Sequence, residues 1–375
     1  MKICFVIDRY PPRPHSSIGS FVQKMARGLH ARGHQVNVVE LGDSHKEWDD
    51  SGVRVTALRR SNVPYVGNLI SRLRLRGWLH SRFMSGAVEL VEAPDYMGFL
   101  PFGVGGCITV VRLHLSDTAV RRCYGKRLAR GIYYYERRNL IANRDWIAVS
   151  RHILELTESV FGVSPARSAV IYNAVLPAAT VQPKAMQLPS RFVLNAGEVR
   201  PHKGVLVLAE AASEFLKQKP DVHLVFVGSV YEENGRPVSK DILDIVGPEL
   251  SERVHILGRV DRETVLECMR RASVFAFPSR LEAFGFVLVE AMSCGLPIVC
   301  TNYPPGPELV EDGVTGLLAD PLSPNDFSKK IICLLDNAEL ANRLAANARR
   351  LVAERFSFQR CMQETERFYE DCLRH

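Results

Sequence analysis

The chain has 375 residues, of which 46% are hydrophobic and 24% are charged, and its formal net charge is +7. These values are typical of a globular protein with two domains and exclude a disordered or fibrous chain. The longest apolar stretch, residues 99–111, is too short and glycine-rich for a membrane-spanning helix, and Asp8 follows the N-terminus too soon for a signal peptide.

Positive charge is concentrated in the first half of the chain. Residues 1–185 carry 26 Lys and Arg against 14 Asp and Glu, whereas residues 186–375 carry 22 against 27. This imbalance predicts an anionic partner for the first half: a membrane surface, a phosphate-bearing acceptor or a nucleic acid. Nucleic acid is disfavoured because no stacking aromatics or recognition motif accompany the charge. The nine cysteines lack a Cys-x-x-Cys pair and indicate a reducing, cytoplasmic compartment.

The first elements alternate between strand and helix. The pattern predicts a strand at residues 2–7, a helix at 20–31 and a strand at 36–41. Ser16, Ser17 and Gly19 lie in the loop before the helix and offer backbone N–H donors. Asp49 and Asp50 are expected in a polar turn without a third metal ligand, so no metal site is predicted there.

Residues 65–84 predict a basic amphipathic helix. Apolar residues alternate there with Arg72, Arg74, Arg76 and Arg82. Two interpretations are equally compatible with this pattern. The helix either rests on anionic lipid, together with the basic residues 121–130, or faces the core with its arginines in solvent.

Three polar residues follow predicted strands of the first half. Glu92 and Asp95 come after an apolar strand and could contact an acceptor molecule, although a turn at Pro94 explains them equally well. His114 ends the next strand. A single histidine in such a place is more often structural than catalytic.

The second half begins after a proline-rich linker at residues 176–190. Strands and helices alternate again, which predicts a second parallel, doubly wound α/β sheet. We therefore predict an N-terminal domain at 1–178, a second domain at 190–355 and a C-terminal helix within 356–375.

Two segments of the second half carry charged residues suited to a phosphate-bearing ligand. Arg200 and Lys203 lie between a strand and a helix, where they could neutralise charge on a departing phosphate or form a solvated basic loop. Glu282 and Glu290, separated by seven residues, surround the start of a helix predicted at 284–293. A glutamate there can be a simple dipole partner, but Glu290 lies among apolar residues, where an unpaired charge is costly.

The second of these segments resembles the retaining GT-B glycosyltransferases that use nucleotide-sugar donors, a family 4-like group with a Glu-x7-Glu motif. The shared features are Pro-Ser and Phe-Gly around Glu282, Glu-Ala-Met at Glu290, Gly-x-Pro-Ile-Val at 295–299, and residues 307–318. The resemblance implies two doubly wound Rossmann-like domains that face each other across a cleft. It also implies sugar transfer with retention, without a metal or other cofactor.

The resemblance also implies site roles. Glu282 would contact the donor sugar, Glu290 the ribose, Arg200 and Lys203 the diphosphate, and His114 the reacting sugar. Other implied donor contacts are Ser17, Gly19, Gly258, Arg259, Val260, Ala283, Phe284, Gly285 and Phe286. The chain departs from the family pattern at Ser16, Ser17 and Glu198, where glycines and an arginine are usual.

The acceptor is expected to be a saccharide, a lipid-linked saccharide or a small molecule. Surface polysaccharide, lipopolysaccharide or glycolipid assembly is the expected setting, with the protein in the cytoplasm and at the inner face of the plasma membrane. Three alternatives stay open: a sugar-nucleotide epimerase, a natural-product glycosyltransferase and an inactive nucleotide-sugar-binding scaffold.

Overall fold

The computed structural model describes residues 1–12, 17–175 and 187–374, without the side chain of Ser17. The chain divides into two compact units. Unit 1 comprises residues 1–173 and the C-terminal residues from 359 onward, and unit 2 comprises residues 174–358. Most of the predicted linker, at 176–186, lies outside the described residues.

Unit 1 is built on an eight-stranded sheet of order β3-β4-β2-β1-β5-β6-β7-β8. All neighbouring pairs are parallel except β3 and β4. Its elements before the chain enters unit 2 are β1 (Lys2–Ile7), α1 (Ser17–Ala31), β2 (Gln35–Gly42), β3 (Lys46–Asp50), β4 (Val53–Arg59), α2 (Gly67–Met84), β5 (Leu90–Pro94), β6 (Ile108–Leu113), α3 (Asp117–Cys123), α4 (Arg130–Ala142), β7 (Asp145–Ala148), α5 (Arg151–Phe161) and β8 (Arg167–Val170).

Two local predictions for unit 1 were wrong. Asp49 and Asp50 belong to the edge strand β3 and not to a turn, and Asp50 accepts hydrogen bonds from Tyr10, Gln23 and Arg27. Helix α1 begins at Ser17, so Ser17 and Gly19 lie in its first turn and not in a preceding loop. Ser16 lies outside the described residues.

Unit 2 is built on a six-stranded parallel sheet of order β13-β10-β9-β14-β15-β16. Its elements are β9 (Phe192–Ala196), α6 (Val205–Gln218), β10 (His223–Val227), β11 (Glu232–Glu233), β12 (Arg236–Pro237), α7 (Val238–Val246), β13 (Val254–Ile256), α8 (Arg262–Arg271), β14 (Val274–Phe277), α9 (Phe286–Ser293), β15 (Ile298–Thr301), α10 (Gly306–Leu309), β16 (Leu317–Ala319), α11 (Pro324–Asp336) and α12 (Ala338–Arg355). The central strands are buried along their whole length, as expected for a parallel sheet covered on both faces.

The last helix, α13 (Phe358–Arg374), packs on unit 1. Its Glu366 accepts from Arg32 at 2.7 Å and contacts the His34 ring at 2.9 Å. No helix within the described residues has both the length and the apolar character needed to cross a membrane.

Candidate functional site

The site in unit 2 begins with three glycines at the carboxyl ends of neighbouring strands. Gly197, Gly228 and Gly258 follow β9, β10 and β13. The N–H of Gly228 donates to the carbonyl of Gly258 at 2.9 Å, and a Cβ on Gly228 would lie 1.7 Å from the carbonyl oxygen of Gly197. Only glycine therefore allows these strand-end loops to pack side by side, at the edge where parallel sheets bind ligands.

A fourth glycine brings the two charged segments together. Gly204 adopts φ 73° at the start of α6, and a Cβ there would lie 2.1 Å from the carbonyl oxygen of Pro278. The N–H of Arg280 also donates to the carbonyl of His202 at 3.1 Å. This close approach places the ammonium of Lys203 2.6 Å from the carboxylate of Glu282.

The Lys203–Glu282 pair is only partly buried. The side chains retain 25% and 15% of their accessible surface, so a ligand can reach both. Burial and then the charges of Lys203 and Arg200 lower the pKa of His202 to about 4. His202 is consequently neutral near pH 7, and Lys203 and Arg200 supply the positive charge of this loop.

Arg200 lies in the same loop but pairs differently. Its guanidinium stacks 4.0 Å from the ring centroid of Tyr231 and contacts the carboxylate of Glu198 at 3.1 Å. Among the described residues, its buried Nε has no hydrogen-bond partner. Glu198, one of the departures from the family pattern, thus balances the charge of Arg200.

Glu290 has a partner that the sequence analysis missed. Arg262, the first residue of α8, contacts its carboxylate at 2.6 Å, and the Arg262 side chain is 53% exposed. The predicted donor residues Arg259 and Val260 lie just before α8, whose N-cap is Asp261. A carboxylate on an otherwise apolar helix needs a nearby cation, and this requirement was the sequence signal that pointed to a partner for Glu290.

The start of α9 differs from its prediction. The helix begins at Phe286 and not at residue 284, because Gly285 adopts φ 94° as its N-cap. Glu282 and Ala283 lie in the loop before it. The side chain of Phe284 is 1% exposed and packs edge-on against Phe286 and Phe356, so it serves the core, and a donor contact from this residue would use its backbone.

His114 lies in unit 1 directly after β6. Its backbone N–H donates to Asp95 Oδ1 at 2.9 Å, and its ring packs edge-on against Phe21. Burial, and then the charge of Arg112, lower the pKa of His114 to about 3. The imidazole is therefore neutral over the physiological range and lines a small cavity that Ile18 and Tyr96 also line.

Glu92 has a structural role in place of the predicted acceptor contact. It is 3% exposed, and its carboxylate accepts from Arg112 at 2.8 and 2.9 Å and from the hydroxyl of Tyr369 on α13. Arg112 also donates to Thr365 of the same helix. The Glu92–Arg112 pair thus joins the sheet of unit 1 to the last helix, and the carboxylate of Glu92 is engaged by Arg112 and Tyr369.

Asp95 is likewise internal. It is fully buried, and its Oδ1 accepts from the backbone N–H groups of Tyr96 and His114. Burial raises its pKa to about 7. Asp95 therefore fixes the backbone that carries His114, and this structural role replaces the predicted acceptor contact.

In the described parts of the chain, no three His, Cys, Asp or Glu side chains form a cluster that could hold a metal ion.

Both units match known families. Residues 180–351 match glycosyl transferases group 1, and residues 18–178 match glycosyltransferase family 4. An uncharacterized glycosyltransferase of Methanocaldococcus jannaschii is 30% identical over 263 residues, which cover 70% of this chain and 68% of the relative. The chain belongs to the glycosyltransferases.

Solved structures show the fold of this glycosyltransferase. Sucrose-phosphate synthase from Thermosynechococcus elongatus aligns over 98% of both chains with a TM-score of 0.76 and 19% identity. Anabaena HepE, in complex with UDP and glucose, aligns over 99% of this chain and 100% of its own with a TM-score of 0.75 and 19% identity. The fold is GT-B, with two Rossmann-like domains.

Proposed function

We propose that this glycosyltransferase moves a sugar from a nucleotide-sugar donor to an acceptor hydroxyl with retention at the anomeric carbon. The observation that carries the proposal is the Lys203–Glu282 pair, held at 2.6 Å and accessible to solvent. A cation and a carboxylate at the carboxyl edge of a parallel sheet can bind, respectively, a diphosphate and the sugar hydroxyls beside it.

Each residue has a role in this proposal. When the nucleoside diphosphate leaves, negative charge grows on the bridging oxygen, and Lys203 and Arg200 stabilise it. Glu282 orients the donor sugar and Glu290 binds the ribose, after exchanging Arg262 for the ribose hydroxyls. His114, kept neutral by its low pKa, hydrogen-bonds the reacting sugar. The departing phosphate takes the acceptor proton during front-face attack.

The proposal includes metal-independent catalysis in a reducing compartment. Lys203 and Arg200 supply the positive charge that a divalent cation would otherwise bring to a diphosphate. All nine cysteines are free thiols, which supports a cytoplasmic location. Turnover that is unchanged by EDTA is the expected result, and loss of turnover restored by a divalent cation would contradict this part of the proposal.

Donor binding is tested first by thermal shift with UDP, GDP, ADP and their sugar conjugates. A ligand that binds only the folded protein raises the melting temperature by mass action. UDP is the first choice because the HepE structure contains it. The rise should disappear in Lys203→Ala and persist in Lys217→Ala, which removes an exposed lysine from α6. An equal rise in both variants would contradict the assignment of Lys203.

The products then separate the remaining alternatives. A retained anomeric configuration in the product, read by NMR, supports the proposal with either a polysaccharide or glycolipid acceptor or a small natural product. Release of free epimerised sugar without acceptor would identify an epimerase. Nucleotide-sugar binding without any transfer or hydrolysis would identify a scaffold.

A second proposal is peripheral binding to anionic membranes, through a surface that differs from the one predicted from the sequence. Helix α2 does not present all its arginines to solvent: Arg72 and Arg76 donate to backbone carbonyls, and Arg82 stacks on Trp78. The loop before α2 is the better contact. Val63, Tyr65 and Val66 expose about half or more of their surface there, and Leu73 and Arg74 are exposed on the adjoining helix.

Aromatic and aliphatic side chains beside an arginine suit the interface of an anionic bilayer. Sedimentation with vesicles of phosphatidylcholine and phosphatidylserine at low salt tests this. Tyr65→Ser should reduce the bound fraction, whereas Tyr134→Ser, at another exposed tyrosine, should not. Failure of the unchanged protein to sediment would end this proposal without affecting sugar transfer.

A further inference from the structure

Unit 1 contains an open pocket that none of the roles above uses. It encloses about 540 Å³, part of it open to solvent, and lies between the end of β4, the start of α2 and the short helix Tyr96–Gly98. Its lining residues are Leu41, Arg60, Ser61, Asn62, Asn68, Ser71, Arg72, Met97 and Phe99. Two guanidinium groups and two amides therefore share one concave surface with an apolar floor.

The guanidinium of Arg72 is fixed in place by three backbone carbonyls. Nε donates to Gly98 at 2.8 Å, Nη1 to Asn68 at 3.0 Å and Nη2 to Met97, while the ring of Tyr135 lies 4.0 Å from the guanidinium carbon. Burial lowers the pKa of Arg72, and the positive charge of Arg60 lowers it further, whereas Tyr135 and Glu136 act in the opposite direction. The two like charges are thus close enough to repel each other.

Arg60 is anchored at one atom only. Its Nε donates to the carbonyl of Leu41 at 2.9 Å, which leaves both terminal nitrogens available for a ligand. Within the described residues, neither Arg60 nor Arg72 forms an ion pair with a carboxylate. The first turn of α2 contains no acidic residue, and no side chain caps it. The pocket therefore combines two cations that form no ion pair within the described residues with the positive end of an 18-residue helix.

We propose that this pocket binds a phosphate group carried by the acceptor. That the phosphate belongs to an acceptor rests on the proposed sugar transfer, whereas phosphate binding by the pocket can be tested alone. Phosphate is the ligand that paired guanidiniums and a helix N-terminus bind best, because planar N–H forks match its oxygens and the helix dipole favours its charge. Asn62 and Asn68 provide further polar contacts.

The position of the pocket in unit 1 supports an acceptor role. The short helix Tyr96–Gly98 separates it from the cavity of His114: Met97 lines the pocket, and Tyr96 lines the cavity. An acceptor held by its phosphate at Arg60 would extend over this single helical turn toward His114. The phosphate would then fix the distance between the anchored end of the acceptor and its reacting hydroxyl.

The test is a calorimetric titration with inorganic phosphate and with glucose 6-phosphate, in the presence of the saturating nucleotide found by thermal shift. In the proposed function the nucleotide occupies the Lys203 loop of unit 2, so the titration measures the second site. Arg60→Gln should weaken phosphate binding about tenfold or more, as expected for one charged contact. Arg138→Gln removes the same charge from an exposed position of α4 and should leave the Kd unchanged.

Asn68→Asp is a second pocket variant, chosen because it should not impair folding. An acidic residue in the first turn stabilises a helix, so this variant should fold at least as well while its carboxylate repels phosphate. Both pocket variants should retain the nucleotide-induced rise in melting temperature. If no nucleotide raises the melting temperature of the unchanged protein, the proposed function is contradicted but the pocket is not.

Two sources of phosphate are then compared. Binding of the soluble phosphates that is lost in Arg60→Gln and Asn68→Asp supports a soluble acceptor. Binding only to phosphatidylcholine vesicles that contain phosphatidic acid, lost in the same variants and kept in Arg138→Gln, supports a lipid headgroup. Absence of phosphate-dependent binding to any of these probes, or equal binding by all variants, overturns the inference.

Discussion

Each unit contains a pair of oppositely charged residues, within neighbouring strands in unit 1 and in loops that follow strands in unit 2, and the two units use these pairs in opposite ways. In unit 2, Lys203 and Glu282 pair at a surface that solvent reaches. In unit 1, Glu92 and Arg112 pair at 4% and 1% side-chain exposure and hold the last helix. The presence of an ion pair therefore does not by itself decide function. The difference lies in whether the pair can exchange its partner for a ligand.

An exposed pair exchanges partners at small cost because water screens it, whereas breaking a buried pair leaves a charge stranded in a medium of low dielectric constant. Unit 1 should thus respond to charge removal with lost stability, and unit 2 with lost binding or turnover. Variants that remove one charge at a time measure that contrast.

Glu92→Ala should be the most damaging change. It strands the buried guanidinium of Arg112 and removes the acceptor for Tyr369, so the free energy of unfolding should fall by about 3–5 kcal/mol in urea titrations. Glu89→Ala, at an exposed residue near the start of β5, is the matched control. The apolar double variant Glu92→Met with Arg112→Leu should recover much of the loss. A cost no greater than that of the control would restore Glu92 as an acceptor-binding candidate.

Glu282→Ala should leave stability nearly unchanged and reduce turnover about a hundredfold or more. The carboxylate contacts the solvent-accessible Lys203 and would orient the donor sugar, so its loss removes a preorganised contact in the transition state. Steady-state kcat and the urea midpoint measured on one preparation separate the two effects. Near-normal turnover in both Glu282→Ala and Lys203→Ala would refute the site.

The sequence predicted the fold better than it predicted individual contacts. Strand β1 was predicted at its observed bounds, because a short apolar run that ends at a polar residue is typical of a buried strand. Strand β3 was missed because Lys46–Asp50 has no apolar alternation; its conformation depends on pairing with β4.

The site shows the same limit. Glu282 and Lys203 were both singled out from local motifs, but the motif gave no sign that Arg262 would pair with Glu290. Glu92 was given the wrong partner because Tyr369, which holds it, lies 277 residues away in sequence. Local patterns indicate which residues carry chemistry, whereas burial depends on distant segments of the chain.

Arg262→Ala should moderately improve donor binding, in contrast to the loss of turnover expected for Glu282→Ala. Glu290 must release Arg262 before it can bind ribose hydroxyls, so removal of the arginine should lower the donor KM a few-fold, in keeping with about 0.5–1 kcal/mol for an exposed pair. Arg271→Ala, at an exposed arginine of the same helix, controls for charge. A raised KM would mean instead that Arg262 itself contacts the donor.

The smallest predicted effect tests the pH response of unit 2 away from its site. His223 Nδ1 and His255 Nε2 lie 3.0 Å apart on β10 and β13, beside Arg253. Burial lowers the pKa of both imidazoles, and each neighbouring positive charge lowers that of His223 further. The unfolded chain therefore binds more protons below about pH 6.5, and linkage requires stability to fall as pH decreases through that value, with no penalty above it.

The melting temperature of His255→Gln should fall less than that of the unchanged protein between pH 7.5 and 5.5. His80→Gln, at an exposed histidine of α2, should behave like the unchanged protein. Identical losses in all three would show that the imidazole pair does not contribute to the pH response, and charge sensitivity in unit 2 would then be confined to its ligand-binding edge.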